Sequence, residues 1–265
     1  MADDTSRIPP RMHPTAKSRS PSPESLCWWQ RKDAGAPMTD PRHEPLLRHA
    51  PATVHGRYLV RPPRTSGPAC WLVGFHGYAQ SAAVFLPGLL RADPESRWLV
   101  ASVQGPHPFY TRTEDVVAHW MTREDRELAI ADNVGYTATV LDQLESEFGA
   151  PRAIVVAGFS QGVAMAYRAA LMGRRRCDVL FAVGGDTPPE LRAGGTQPWP
   201  RVVLLTGETD AWYTPARLEA DAALVRQTGA NVRAHVFAGG HEWNGEVVRA
   251  LGGLLAEAEG GAGHM

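Results

Sequence analysis

The chain has 265 residues, 43% of them hydrophobic, with 27 basic and 28 acidic side chains and a formal charge of -1. At roughly 100–200 residues per domain this is one or two domains. The balance is not the footprint of a nucleic-acid binder, and no apolar run approaches the ~20 residues of a membrane span, so no stable membrane insertion is expected. The opening residues MADDTSRIPP are polar, so no cleaved secretory signal is expected. Three scattered cysteines, Cys27, Cys70 and Cys177, offer neither a disulfide framework nor a zinc-thiolate site. A cytoplasmic protein is the reading that follows.

Residues 1–45 hold eight of the 22 prolines, seven basic and six acidic residues, and no apolar periodicity. Such a segment buries too little surface to offset its chain entropy. It reads as a disordered extension, in which Trp28-Trp29 belongs to a solvated tail and Met38 is an alternative start. Residues 46–265 form the folded domain. Strands are expected at Val54–Val60, Cys70–Phe75, Trp98–Val103, Ala153–Ala157, Asp178–Val183, Val202–Thr206 and Val232–Phe237. Helices are expected at Ser81–Arg91, Glu124–Phe148, Gln161–Leu171, from the cap Thr214-Pro215 to Gln227, and at Glu242–Ala258. In the long helix Leu128, Ala131, Val134, Ala138, Leu141, Leu144 and Phe148 share one face. Gly105–Arg123 is left as a long connection, a length that often carries function. Apolar strands alternating with helices predict an α/β fold with a mostly parallel sheet covered on both faces. Its chemistry belongs beyond the C-terminal strand ends.

The strand AIVVA runs into Gly158-Phe159-Ser160-Gln161-Gly162. G-x-S-x-G between a strand and a helix is the context of a nucleophile elbow, a strained turn that lifts the Ser160 hydroxyl off the sheet. The same turn places the Gln161 N–H at a helix start, where it can stabilise an oxyanion. A serine needs a base. His241, on the Gly239-Gly240 turn after the last strand, is the candidate, whereas His235 reads as a packed or surface residue and His264 as terminal. Asp210, two residues past Glu208, is the candidate acid that orients the imidazole. Glu208 is a weaker rival and Asp186 a stronger one, since it also follows a strand. The loop Phe75-His76-Gly77-Tyr78 offers the Tyr78 N–H as second oxyanion donor, with His76 a structural residue. Phe109, Tyr110, Trp120 and Met121 are candidates to line an acyl pocket, with Trp212 and Tyr213 opposite.

With HGY at 76–78, GFSQG at 158–162, GETD at 207–210 and GGHEW at 239–243, the chain resembles the α/β-hydrolase superfamily. More narrowly it resembles the phospholipase/carboxylesterase family, which includes acyl-protein thioesterases. The resemblance covers about residues 50–258. It implies a Ser160–Asp210–His241 triad, an oxyanion hole from the Tyr78 and Gln161 N–H groups, no metal or cofactor, no large cap domain, and hydrolysis of carboxylic or thio esters. Ala79 and Gln80 stand where the family usually has a Gly and an Asp, Val163 where a Gly is frequent, and Ala211-Trp212-Tyr213 where an aliphatic residue is usual. The expected activity is a carboxylesterase or lysophospholipase-like one on a small-molecule ester. The alternatives are an acyl-thioesterase, peptidase or acyltransferase on the same triad, and a non-catalytic protein on the same fold.

Overall fold

The computed structural model describes residues 45–261. The expectations for residues 1–44, Trp28-Trp29, Met38 and His264 therefore lie outside the described residues. Residues 45–52 are exposed and carry no helix or strand. From residue 53 the chain forms nine strands and five helices among the described residues, with a short 3-10 turn at Pro189–Leu191.

The elements in chain order are β1 (Tyr58–Arg61), β2 (Trp71–Phe75), α1 (Ala82–Leu90), β3 (Leu99–Val103), β4 (His107–Tyr110), β5 (Val116–His119), α2 (Arg126–Phe148), β6 (Ile154–Phe159) and α3 (Gln161–Leu171). Then follow β7 (Val179–Val183), β8 (Arg201–Gly207), α4 (Pro215–Gln227), β9 (Val232–Phe237) and α5 (Gly245–Gly261). Seven strands make one sheet in the order β1-β3-β2-β6-β7-β8-β9. All its pairs are parallel except β1–β3. Parallel strands need crossover connections, and the helices supply them.

Strands β2, β3, β6 and β7 are buried along their whole length. That explains why they read as continuous apolar runs rather than as alternating ones. Alternate side chains serve two cores. Trp71, Val73 and Phe75 join Leu141, Leu144, Met165, Leu171 and Leu218 on the face covered by α2, α3 and α4. Leu72, Val155 and Phe181 join Phe85, Leu89, Val247 and Leu251 on the face covered by α1 and α5. Each large aliphatic side chain buried this way contributes about 1.5–3 kcal/mol. Among the described residues no helix is long and apolar enough to cross a membrane.

Two expectations are revised. The connection 105–123 contains an antiparallel hairpin, β4–β5, whose Gln80↔Ala118 bridge ties it to the loop after β2. On α2 the buried face is Ile130, Asn133, Thr137, Ala138, Val140, Leu141 and Leu144, and Leu128 is exposed. The amino-terminal half of the helix buries a polar side chain. Asn133 Nδ2 donates to the Trp120 carbonyl at 2.8 Å, deep under the hairpin. Apolar periodicity is blind to a buried amide used this way.

Candidate active site

The site lies at the carboxyl ends of β2, β6, β7, β8 and β9, on the turns that leave them. Ser160 follows β6 directly and takes φ 52°, ψ -119°. That positive φ is strained for a side chain other than glycine and is the kind of strain found at functional turns. Gly162 is required: a Cβ there would collide with the Phe75 and His76 carbonyls. The elbow therefore packs backbone to backbone against the end of β2. Helix α3 starts at Gln161, whose N–H has no acceptor within its own helix.

His241 sits on the turn after β9. Its Nδ1 is 2.7 Å from Asp210 Oδ2 and its Nε2 2.8 Å from Ser160 Oγ. The carboxylate decides the tautomer: Nδ1 carries the proton and donates to Asp210, so Nε2 is free to accept from the serine hydroxyl. Phe159 packs against the imidazole with ring centroids 5.1 Å apart. Gly184, at φ 67°, leaves space on another side; a Cβ there would reach to 3.0 Å from the His241 ring.

Asp210 is buried at the end of β8. Its Oδ1 accepts from the N–H groups of Trp212 at 2.8 Å and Tyr213 at 2.9 Å, and its Oδ2 meets His241 and, at 3.5 Å, the Thr206 hydroxyl. Burial pushes its carboxyl up. The Tyr213 N–H, His241 and the Trp212 N–H together outweigh burial and hold it below the usual carboxylate range. The two rivals stand elsewhere. Asp186 is 57% exposed, with Arg217 3.9 Å away. Glu208 is exposed, and neither hydrogen-bonds to His241.

The loop after β2 is built around His76, which is fully buried. Its Nε2 accepts from the Gly105 N–H at 2.9 Å, so Nδ1 donates to the Gly77 carbonyl at 2.7 Å. Burial lowers its pKa, against the Gly77 bond. A neutral, doubly bonded imidazole is a structural brace. Gln80 adds a second one: its Oε1 accepts from the Gly77 N–H at 2.9 Å. In the turn closed by Gln80 N–H to the Gly77 carbonyl, the Tyr78 N–H makes no backbone bond. The Gln161 side chain clamps the other wall, accepting from the Trp120 N–H at 3.0 Å and donating to the Met121 carbonyl at 2.9 Å.

A cleft of about 500 Å³ opens at Ser160 and His241, lined by Tyr78, Gly184, Gly185, Asp186, Trp212, Tyr213 and Arg217. Trp212 and Tyr213 thus stand in the cleft, although Tyr213 is almost fully buried and its hydroxyl donates to Asp221 at 3.0 Å. The hairpin aromatics do not line it. Trp120 is fully buried, and its indole N–H donates to the His76 carbonyl at 2.8 Å, so it supports the loop instead of meeting substrate. Phe109 packs on Tyr78, with ring centroids 5.6 Å apart, and Tyr110 points to solvent at 74% exposure. Gly184, Gly185 and Arg217 were missed as lining residues. The signal for the first two is the Gly-Gly pair placed immediately after β7.

No protein-family model matches the chain, and no curated protein matches its sequence. Solved structures do match. A carboxylesterase from Mesorhizobium loti superposes with a TM-score of 0.63 over 76% of this chain and 94% of its own, at 18% identity. The Bacillus cereus carboxylesterase gives 0.62 over 77% and 94%, at 19% identity. The chain has the α/β-hydrolase fold. Acyl-protein thioesterase 2 of Zea mays also shares it, with a TM-score of 0.59 over 77% of this chain and 99% of its own, at 16% identity. These α/β hydrolases agree with the fold that the GFSQG and GGHEW motifs imply. Between them and this chain, what is shared at such identities is the fold itself.

Proposed function

We propose that the chain is a serine hydrolase of carboxylic esters that works through an acyl-enzyme on Ser160, with His241 as base and acid and Asp210 as its orienting carboxylate. The observation that carries this is His241 bonded on both sides, to Ser160 Oγ at 2.8 Å and to a buried Asp210 at 2.7 Å. The names of the structural neighbours, carboxylesterases and a thioesterase, point the same way.

His241 Nε2 takes the hydroxyl proton as Ser160 Oγ attacks the ester carbonyl. The charge developing on the carbonyl oxygen is met by the N–H groups of Tyr78 and Gln161, each worth about 2.7–4 kcal/mol to the transition state. His241 then gives its proton to the departing alcohol oxygen. Water, activated by the same nitrogen, releases the acid. Asp210 stays ionised throughout and stabilises the imidazolium. Trp212 and Tyr213 form the substrate cleft; Phe109 acts on it only through Tyr78. The substrate is a small-molecule ester. The cytoplasm suits the free, buried Cys70 and Cys177, whose thiols burial raises, Cys177 to about 12.

The test is hydrolysis of p-nitrophenyl acetate, butyrate and octanoate, with acyl thioesters run beside them, by wild type and Ser160→Ala. Turnover abolished by the substitution supports the assignment. Full activity in Ser160→Ala removes the serine from the mechanism.

A further inference from the structure

A second cleft, of about 350 Å³, lies between α1 and the turn after β9, walled by Val84, Phe85 and Trp243, with Gln80, Arg91 and Glu242 also lining it. His241 lines this cleft and the Ser160 cleft, and among the described residues no other is common to both. The Ser160 cleft is bounded by the turns after β7 and β8 and by α4, whereas the second is bounded by α1 and the segment leading into α5. These helices cover opposite faces of the sheet. The two clefts therefore leave His241 in different directions.

We infer that the second cleft is the leaving-group subsite and the Ser160 cleft the acyl subsite, an assignment that rests on the ester-hydrolase reading above. A tetrahedral adduct on Ser160 has four substituents. The serine oxygen comes from β6, and the oxyanion is held by the Tyr78 and Gln161 N–H groups. The acyl carbon and the alcohol oxygen must depart along separate paths. Once the alcohol has gone, the acyl group is still bonded to Ser160, so it occupies the cleft that Ser160 lines. The alcohol needs only the proton on His241 Nε2, and the second cleft meets His241 without meeting Ser160.

The wall chemistry then names the alcohol. At about 30 Å³ per water molecule, the space takes an alcohol well beyond methanol in size. Val84, 63% exposed, and the half-buried Trp243 offer one apolar side for an alcohol body, with Phe85 buried behind them and edge to face with Trp243 at 4.9 Å. Arg91, Gln80 and Glu242 suit polar substituents on that body.

The experiment compares methyl with benzyl butyrate, which differ only in the alcohol, and benzyl acetate with benzyl butyrate, which differ only in the acyl group. Val84 is 63% exposed on α1, so Val84→Trp fills the cleft without overpacking a core. It lowers the benzyl-to-methyl ratio of kcat/KM by at least ~10-fold and leaves the acetate-to-butyrate ratio within ~2-fold. Val84→Phe gives a smaller change in the same direction. Trp212→Ala, 76% exposed in the other cleft, shifts the acetate-to-butyrate ratio instead. Labelling of Ser160 by a fluorophosphonate, run on every variant, checks that the site is intact. An unchanged benzyl-to-methyl ratio in a labelled Val84→Trp protein, or a shift in the acyl ratio alone, overturns the subsite assignment. A wild type that is not labelled at Ser160 overturns the ester-hydrolase reading and the assignment with it.

Discussion

Replacing Asp210 by asparagine changes one atom and should disable His241 through its tautomer. In the wild type Oδ1 is fixed by two backbone donors, the N–H groups of Trp212 and Tyr213. In the variant those donors hold the amide oxygen at the same place, because an NH₂ group facing them would leave two donors unpaired at about 1–3 kcal/mol each. The NH₂ then faces His241 Nδ1, which must accept. The ring proton moves to Nε2, and Nε2 can no longer take the serine proton. A loss of ~10⁴ in kcat is expected, which is about 5 kcal/mol of transition-state stabilisation. The assay is steady-state hydrolysis of p-nitrophenyl butyrate, with thermal unfolding as a control for the fold. Asp186→Asn, at an exposed carboxylate loosely paired with Arg217, should cost far less, as surface pairs contribute about 0–1 kcal/mol. Asp210→Asn retaining kcat within tenfold, or Asp186→Asn costing more, would exclude Asp210 as the residue that sets the His241 tautomer.

Other consequences are equally open to measurement. Gly162→Ala drives a Cβ into the Phe75 carbonyl; it should destabilise by ~3 kcal/mol or more, and a thermal midpoint equal to wild type would contradict the backbone-to-backbone packing of the elbow. Trp120→Phe leaves the buried His76 carbonyl without its indole donor. It should lower stability by about 1–3 kcal/mol and, because Trp120 does not line the cleft, leave the acetate-to-butyrate selectivity as in wild type. Asp221 is a buried acid that accepts from the Thr187 N–H and the Tyr213 hydroxyl, and burial raises its pKa. A raised acid favours folding fully below the unfolded pKa of about 3.9 and loses that contribution as pH rises through the folded value. The thermal midpoint of Asp221→Asn relative to wild type should therefore climb as pH rises from about 4; a fall over that range would reverse the sign.

HGY, GFSQG and GETD were legible in the sequence because each follows a strand buried along nearly its whole length, which makes an apolar run, whereas GGHEW follows the half-exposed β9 and was legible from its Gly-Gly turn. The start of helix α4 was legible because Thr214 caps it, accepting from the Arg217 N–H, and Pro215 opens it. The hairpin β4–β5 was not, since two four-residue strands, one mostly exposed and the other buried only at Val117 and Ala118, are too short to carry a periodic signal. Its aromatics looked like pocket residues for the same reason. Whether Trp120 faces substrate or core depends on the His76 carbonyl, 44 positions earlier in the chain. The buried face of α2 includes Asn133, which donates to the Trp120 carbonyl, a residue that propensity alone would place outside. The second cleft was equally hidden, being formed where α1 meets the turn after β9 rather than by any contiguous motif.

In the proposed mechanism Ser160 is the nucleophile and His241 and Asp210 activate it. Intact-mass and peptide analysis after treatment with a fluorophosphonate measures this most directly. One adduct per chain is expected, located on Ser160 in the wild type, absent in Ser160→Ala and formed far more slowly in Asp210→Asn. A wild-type protein that takes no label at Ser160, or a Ser160→Ala protein labelled to the same extent, would contradict it.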